Sequence, residues 1–181
     1  QPGDRLLLTK GYPIEATAII AREKHDLLEH RFSHEYVERC AGFLHEPGIS
    51  VVRDARVALN AGRVHAMHDP TEGGLATGLW EMAEASGLRL VVDPAAALLE
   101  EGRALCEATG LDPLGAIASG ALLMAVHPDD ADAIAAALAQ DGIPAYDIGR
   151  VEEGGTAVVG VDDRPLARPA RDEIARLFDA D

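Results

Sequence analysis

The chain is poor in aromatic residues, which make up 4% of its 181 positions, with one Trp, three Tyr and three Phe. Its core has to be built from Ala, Leu, Val and Ile within an apolar content of 48%. Cysteine is nearly absent. Cys40 and Cys106 form neither a C-x-x-C pair nor a disulfide framework, so a reducing, cytoplasmic setting is the expectation. Positive charge is scarce too: 16 Lys and Arg stand against 31 Asp and Glu, a net charge of −15. That balance argues against non-specific binding to nucleic acid or to an anionic membrane surface. It leaves room for a nucleotide, because one loop and one helix dipole can bind phosphate within an acidic protein. No apolar run approaches the roughly 18 residues of a membrane span, and no signal peptide is visible. Neither G-x-x-x-x-G-K-[ST] nor G-x-G-x-x-G occurs, so the chain holds no self-contained nucleotide fingerprint. The length fits one domain over residues 1–181, with no internal repeat and no linker.

Against these absences one stretch stands out: His65-Ala66-Met67-His68-Asp69-Pro70-Thr71-Glu72-Gly73-Gly74-Leu75. A short β-prone segment ends in an Asp-Pro turn, because Pro70 fixes its own φ and biases Asp69 away from αR. Two glycines then open a segment of helical period through Leu75, Ala76, Leu79, Trp80, Met82 and Ala83. Paired glycines let a backbone approach a ligand or a packed neighbour. The helix N-terminus beyond them offers free N–H groups and a positive dipole end, which suit phosphate. A second reading is purely architectural: Asp69 or Thr71 caps the helix, and Gly73-Gly74 permits tight strand–helix packing.

Elsewhere the pattern predicts strands over residues 4–9, 88–92 and 121–126, and a hairpin of 146–151 with 156–161 around Glu153-Gly154-Gly155. Helices are predicted over 14–24, within 25–47, after a Ser50 cap to about 60, and over 75–86, 101–108, 129–140 and 170–178. Alternating strands and helices imply an α+β (α/β layered) domain, a mixed sheet covered by helices, with the motif helix packing through Leu75, Leu79, Trp80 and Ala83. His30 and His34, four apart with Cys40 nearby, lack a fourth well-spaced metal ligand, so no metal site is expected there. His65 and His68 fall on opposite faces of a regular strand and are not expected to pair. Neither cysteine has the basic surroundings that would make it a nucleophile. Ser119-Gly120, just before an apolar strand, either faces a cleft or forms a turn that needs Gly.

Gly3-Asp4-Arg5-Leu6-Leu7-Leu8-Thr9-Lys10-Gly11, Ile14-Glu15-Ala16-Thr17-Ala18-Ile19, the run from His65 to Leu75, and Leu111-Asp112-Pro113-Leu114 occur in an order that resembles a known family. It is the C-terminal domain of the aminoimidazole ribonucleotide (AIR) synthase-related, PurM-like superfamily, and its hydrogenase-maturation, HypE-like branch in particular. The resemblance implies a two-domain, homodimeric, ATP- and Mg2+-using enzyme. Its N-terminal domain, absent from this span, supplies the dimer barrel and most nucleotide ligands. It also implies that maturation proteins are partners, and that the branch dehydrates a thiocarboxamide on its own C-terminal cysteine to thiocyanate. Asp69, Thr71, Gly73 and Gly74 then become the nucleotide- or phosphate-proximal residues. The side chains of Asp69 and Thr71 would bond loop N–H groups while the glycines admit the triphosphate. Two features depart from the branch. The chain closes on Phe178-Asp179-Ala180-Asp181 without a Pro-Arg-Ile-Cys-like tail, and Ala118-Ser119-Gly120 stands where Asn-Glu-Gly is usual. A paralogous small-molecule kinase or ligase, or a binding or dimerising module without catalysis, therefore remains open. The span alone is expected to bind ATP weakly or not at all.

Overall fold

Leu6-Leu7-Leu8 is apolar without alternation because both faces of its strand are covered. In the computed structural model, which describes residues 1–179, that strand is β1 (Arg5–Thr9). The Ala180-Asp181 end of the cysteine-free tail lies outside the described residues. β1 is central in a six-stranded sheet with β2 (Val64–His68), β3 (Arg89–Val92), β4 (Leu123–Val126), β5 (Ala145–Glu152) and β6 (Ala157–Gly160). The strand order is β2-β4-β1-β5-β3-β6, antiparallel throughout except for the parallel β3–β6 pair.

The described residues also form seven α-helices: α1 (Ile14–Glu23), α2 (His25–Glu29), α3 (His34–Ala41), α4 (Val52–Ala61), α5 (Gly74–Ser86), α6 (Glu100–Thr109) and α7 (Ala131–Gln140). α5 covers the Leu6/Leu8 face through Leu75, Leu79, Met82 and Ala83, packed with Leu90, Val92, Leu123 and Ile148. Trp80 sits at the rim of this core, where its indole N–H donates to the Leu166 carbonyl at 3.0 Å. α4 and α7 cover the Leu7 face through Ala58, Ile134 and Leu138 against Met124 and Val126. The expected mixed sheet covered by helices is the fold observed. A further core lies off the sheet, where Ile20, Leu28, Val37, Cys40, Leu105 and Cys106 join α1, α2, α3 and α6.

Four local expectations need correction. β5 and β6 are not a hairpin: both edges of β5 are taken, by β1 and β3, so β6 adds to the far side of β3. The final helix reduces to a 3₁₀ turn, Glu173–Leu177, preceded by extended backbone at Asp172. Residues 25–47 hold two helices and a 3₁₀ turn rather than one short helix, because the Ser33 side chain accepts the Tyr36 N–H and caps a new start at His34. Ser50 caps nothing. The N-cap of α4 is Val51, without a side-chain bond, and the Ser50 carbonyl instead accepts from Lys10 Nζ at 2.7 Å.

Candidate functional site

Strand pairing brings three remote segments to one end of the sheet. Leu8 lies opposite Leu123 in β4, and so does His68, which places Thr9-Lys10, Asp69-Pro70-Thr71 and residues 118–122 together. Two hydrogen bonds tie them. The Leu122 N–H donates to Thr9 Oγ1 at 3.0 Å, and the Ala118 N–H donates to the Thr71 carbonyl at 3.3 Å.

Beneath this end lies a buried ion pair. Lys10, in a left-handed conformation at φ 60°, is 6% exposed, and Asp54 on α4 is 2% exposed. Their charged atoms are 3.3 Å apart, and the Thr9 hydroxyl donates to Asp54 Oδ1 at 2.5 Å. Every remaining bonding capacity of a buried ion matters, because an uncompensated charge there costs several kcal/mol. The contacts of Thr9 and Ser50 complete this one. Above the pair Asp69 is exposed at the surface. Partial burial pushes its carboxyl up from the ordinary range; His68 and Lys10 pull it back, and Glu15 and Asp54 add to the rise.

The glycines of the loop answer to protein contacts. Gly73 and Gly74 have φ of 75° and 64°, and α5 starts directly from them. A Cβ on Gly74 would sit 2.5 Å from the Leu114 carbonyl and 2.6 Å from that of Ala116; one on Gly73 would meet Thr77 Oγ1 at 2.2 Å. One helix-entry N–H, that of Gly73, is also taken, by a residue from the far end of the chain. Asp172 accepts from Gly73 N–H at 2.6 Å, Ile117 N–H at 3.2 Å and Ile174 N–H at 2.8 Å. The side chains of Asp69 and Thr71 do not make the bonds expected of them. Thr71 Oγ1 is only 3.5 Å from the Asp69 carbonyl, and the Thr71 carbonyl, not its hydroxyl, accepts the Gly74 N–H. The architectural reading of the two glycines is the one this geometry supports. Arg168 and Arg171 line a small pocket beside the loop with Glu72, Gly73 and Thr77, and each arginine is paired to a carboxylate, Glu84 and Asp179 respectively. Ser119 is buried at 8% exposure, and Gly120 packs against the Gly48 carbonyl, 3.0 Å from where a Cβ would lie.

His65 and His68 both line a cleft of about 540 Å³ between β2 and α5, contrary to the expectation of opposite faces. A register shift between Val64 and Ala66 breaks the strict alternation. They still do not pair. His65 Nδ1 bonds Asp4 at 2.8 Å, while His68 Nε2 bonds Glu81 on α5 at 2.7 Å. His30, His34 and Cys40 do not assemble either, since His30 is the C-cap of α2, His34 opens α3 after the Ser33 cap, and Cys40 faces the core. Burial pushes the Cys40 thiol up to about 11 and that of Cys106 to about 12, so neither is a nucleophile near neutral pH.

Sequence reasoning missed Lys10, Asp54 and Asp172. Thr-Lys-Gly after an apolar strand hints that Lys10 is special. Asp54 and Asp172 carry no local signal, since both partners are remote in sequence.

This fold and this sheet end define a class of protein. Residues 1–162 match the model of the AIR synthase related protein, C-terminal domain, and the chain belongs to that family. Within it, the chain is 36% identical over 161 residues to the carbamoyl dehydratase HypE of Cupriavidus necator, covering 86% of this chain and 42% of that protein. It is 34% identical over 185 residues to the selenide, water dikinase of Nitratidesulfovibrio vulgaris, covering 83% of this chain and 49% of that one. The crystal structure of the hydrogenase maturation protein HypE in complex with ATP shares the fold, with a TM-score of 0.65 and 23% identity, over 96% of this chain and 53% of that one. The chain thus spans about half the length of the proteins it matches, or less.

Proposed function

We propose that this chain forms the C-terminal half of a homodimeric, ATP- and Mg2+-dependent, HypE-like enzyme of the cytoplasm, with maturation proteins as partners. On this reading the full polypeptide dehydrates a thiocarboxamide to thiocyanate. Nucleotide and metal are held chiefly by an N-terminal domain, and the β1/β2 end of this sheet closes over them. The observation that carries the reading is the convergence of Thr9-Lys10, Asp69–Thr71 and residues 118–120, with the exposed Asp69 carboxylate above a buried Lys10–Asp54 pair. Asp69 is the group placed to meet metal or phosphate from the other domain. The loop glycines set its position by fixing the start of α5 against residues 114–116.

A second reading, a paralogous kinase or ligase of small molecules, is favoured by Ser119, which leaves the loop before β4 without a carboxylate, and by the likeness to a selenide, water dikinase. Both readings place the phosphates outside this chain. An exposed helix terminus contributes about 0.3–1 kcal/mol to anion binding, against roughly 8 kcal/mol for micromolar affinity.

The test is Asp69→Asn in the full-length polypeptide. ATP turnover is expected to fall at least tenfold with the melting temperature held or raised; unchanged turnover would remove Asp69 from the site. Calorimetric titration of the 181-residue chain with Mg-ATP should show no micromolar binding. A micromolar Kd would overturn the division of labour between the domains.

A further inference from the structure

Away from the sheet, α2 and α3 each carry a histidine and a glutamate four residues apart: His25 with Glu29, and His34 with Glu38. Side chains at i and i+4 share one face of a helix, and here the two faces meet. The pairs cross over. His25 Nε2 lies 3.2 Å from Glu38 Oε1, and His34 Nδ1 lies 2.6 Å from Glu29 Oε1. The two imidazole rings stand edge to face, 5.8 Å between centroids at 76°. One donor atom each from His25, His34 and Glu38 fall within 4.8 Å of one another.

We propose that His25, His34 and Glu38 form a binding site for a zinc-class divalent cation, with Glu29 orienting His34. The donor set decides the class of ion. Two imidazoles and one carboxylate suit borderline transition ions, whereas Mg2+ and Ca2+ take oxygen ligands. Three protein ligands leave one tetrahedral position for water. An ionised carboxylate can only accept, so His34 donates from Nδ1 to Glu29 and presents Nε2 as its basic nitrogen. A carboxylate behind a histidine in this way fixes the tautomer and ring orientation of a metal ligand. Donors about 2.0–2.2 Å from a tetrahedral ion lie about 3.4 Å from one another, and His25 Nε2 and Glu38 Oε1, 3.2 Å apart, are already near that spacing. The ion would join two short helices that otherwise share few apolar residues, Leu28 on one and Val37 and Cys40 on the other.

Titration calorimetry with ZnCl2, in a non-chelating buffer near neutral pH, tests the site. One ion per chain is expected. His25→Ala and His34→Ala should each weaken binding by at least a hundredfold, and Glu29→Ala by about 10–100-fold. His30→Ala and His45→Ala should leave it unchanged. Circular dichroism checks that each variant keeps its helices. Cobalt(II) provides a readout on the unaltered chain, where a tetrahedral site gives intense visible d–d bands. Absence of one-to-one binding, binding that survives loss of both His25 and His34, or only the weak cobalt spectrum of the aquo ion would each overturn the proposal.

Discussion

Asp69, the residue proposed to meet metal or phosphate, is costly to its own fold. Its folded-state carboxyl is raised, so the folded chain holds the proton to higher pH than the unfolded chain does. The sign follows: the cost is absent well below the ordinary carboxylate pKa and grows as pH rises through the raised value. Asp69→Asn should therefore melt no lower than the parent near neutral pH and lose any advantage in acid, as thermal scans across pH would show. A lower melting temperature at neutral pH would give Asp69 a structural role instead. Gly73→Val, attractive as a probe of the loop, is a poor one, since its Cβ would strike Thr77. Gly74→Ala should destabilise by about 3 kcal/mol or more, with backbone carbonyls in its way, whereas Gly87→Ala, with open space at φ 69°, should cost about 1 kcal/mol. Chemical denaturation of the two variants compares them directly.

At the scale of elements, the segment after β6 is a strap. Asp172 pins it to the start of α5 and to Ile117, and the Trp80 indole holds it at Leu166. Asp172→Ala leaves Gly73 and Ile117 without their acceptor, a loss of about 1–3 kcal/mol. Limited proteolysis should then cut within residues 161–179 faster than in the parent; equal rates would mean that Trp80 and Leu177 suffice. Such links explain what the sequence showed and what it hid. α5 was legible because its apolar period and breakers are local, and β1 because three leucines follow Gly-Asp-Arg. The β5–β6 turn looked like a hairpin because Glu153-Gly154-Gly155 suits one. Which edge is free for β6, however, depends on β1 and β3, which no local pattern reports. Asp69, Gly73 and Gly74 were visible as a loop, but their contacts come from residues 114–117 and 172, so the partner of each had to come from the fold.

At the scale of the whole molecule, buried charge among the described residues falls at Asp4 and at the Lys10–Asp54 pair, which ties the end of β1 to α4. Lys10→Met alone strands a buried carboxylate and should cost about 3–5 kcal/mol. Lys10→Met with Asp54→Leu should recover much of that loss. A double-mutant cycle by urea denaturation measures the coupling, and additive losses would show that the pair does not act as a unit.

One further consequence lies in the strand order. No two neighbours in the sheet are consecutive in the chain, and β1 finds its partners only in β4 and β5. Loop-closure entropy must be met before such pairings return any energy. On the ribosome the Leu6-Leu7-Leu8 strand emerges before the other strands of this sheet, yet its flanking strand β5 starts at Ala145. At about 5–20 residues per second of synthesis, this three-leucine strand of the nascent protein waits several seconds or more for its place. Refolding should accordingly be slow, on the millisecond-to-second scale of high-contact-order domains. Arrested nascent chains ending before β5 should be sensitive to protease and bound by chaperones.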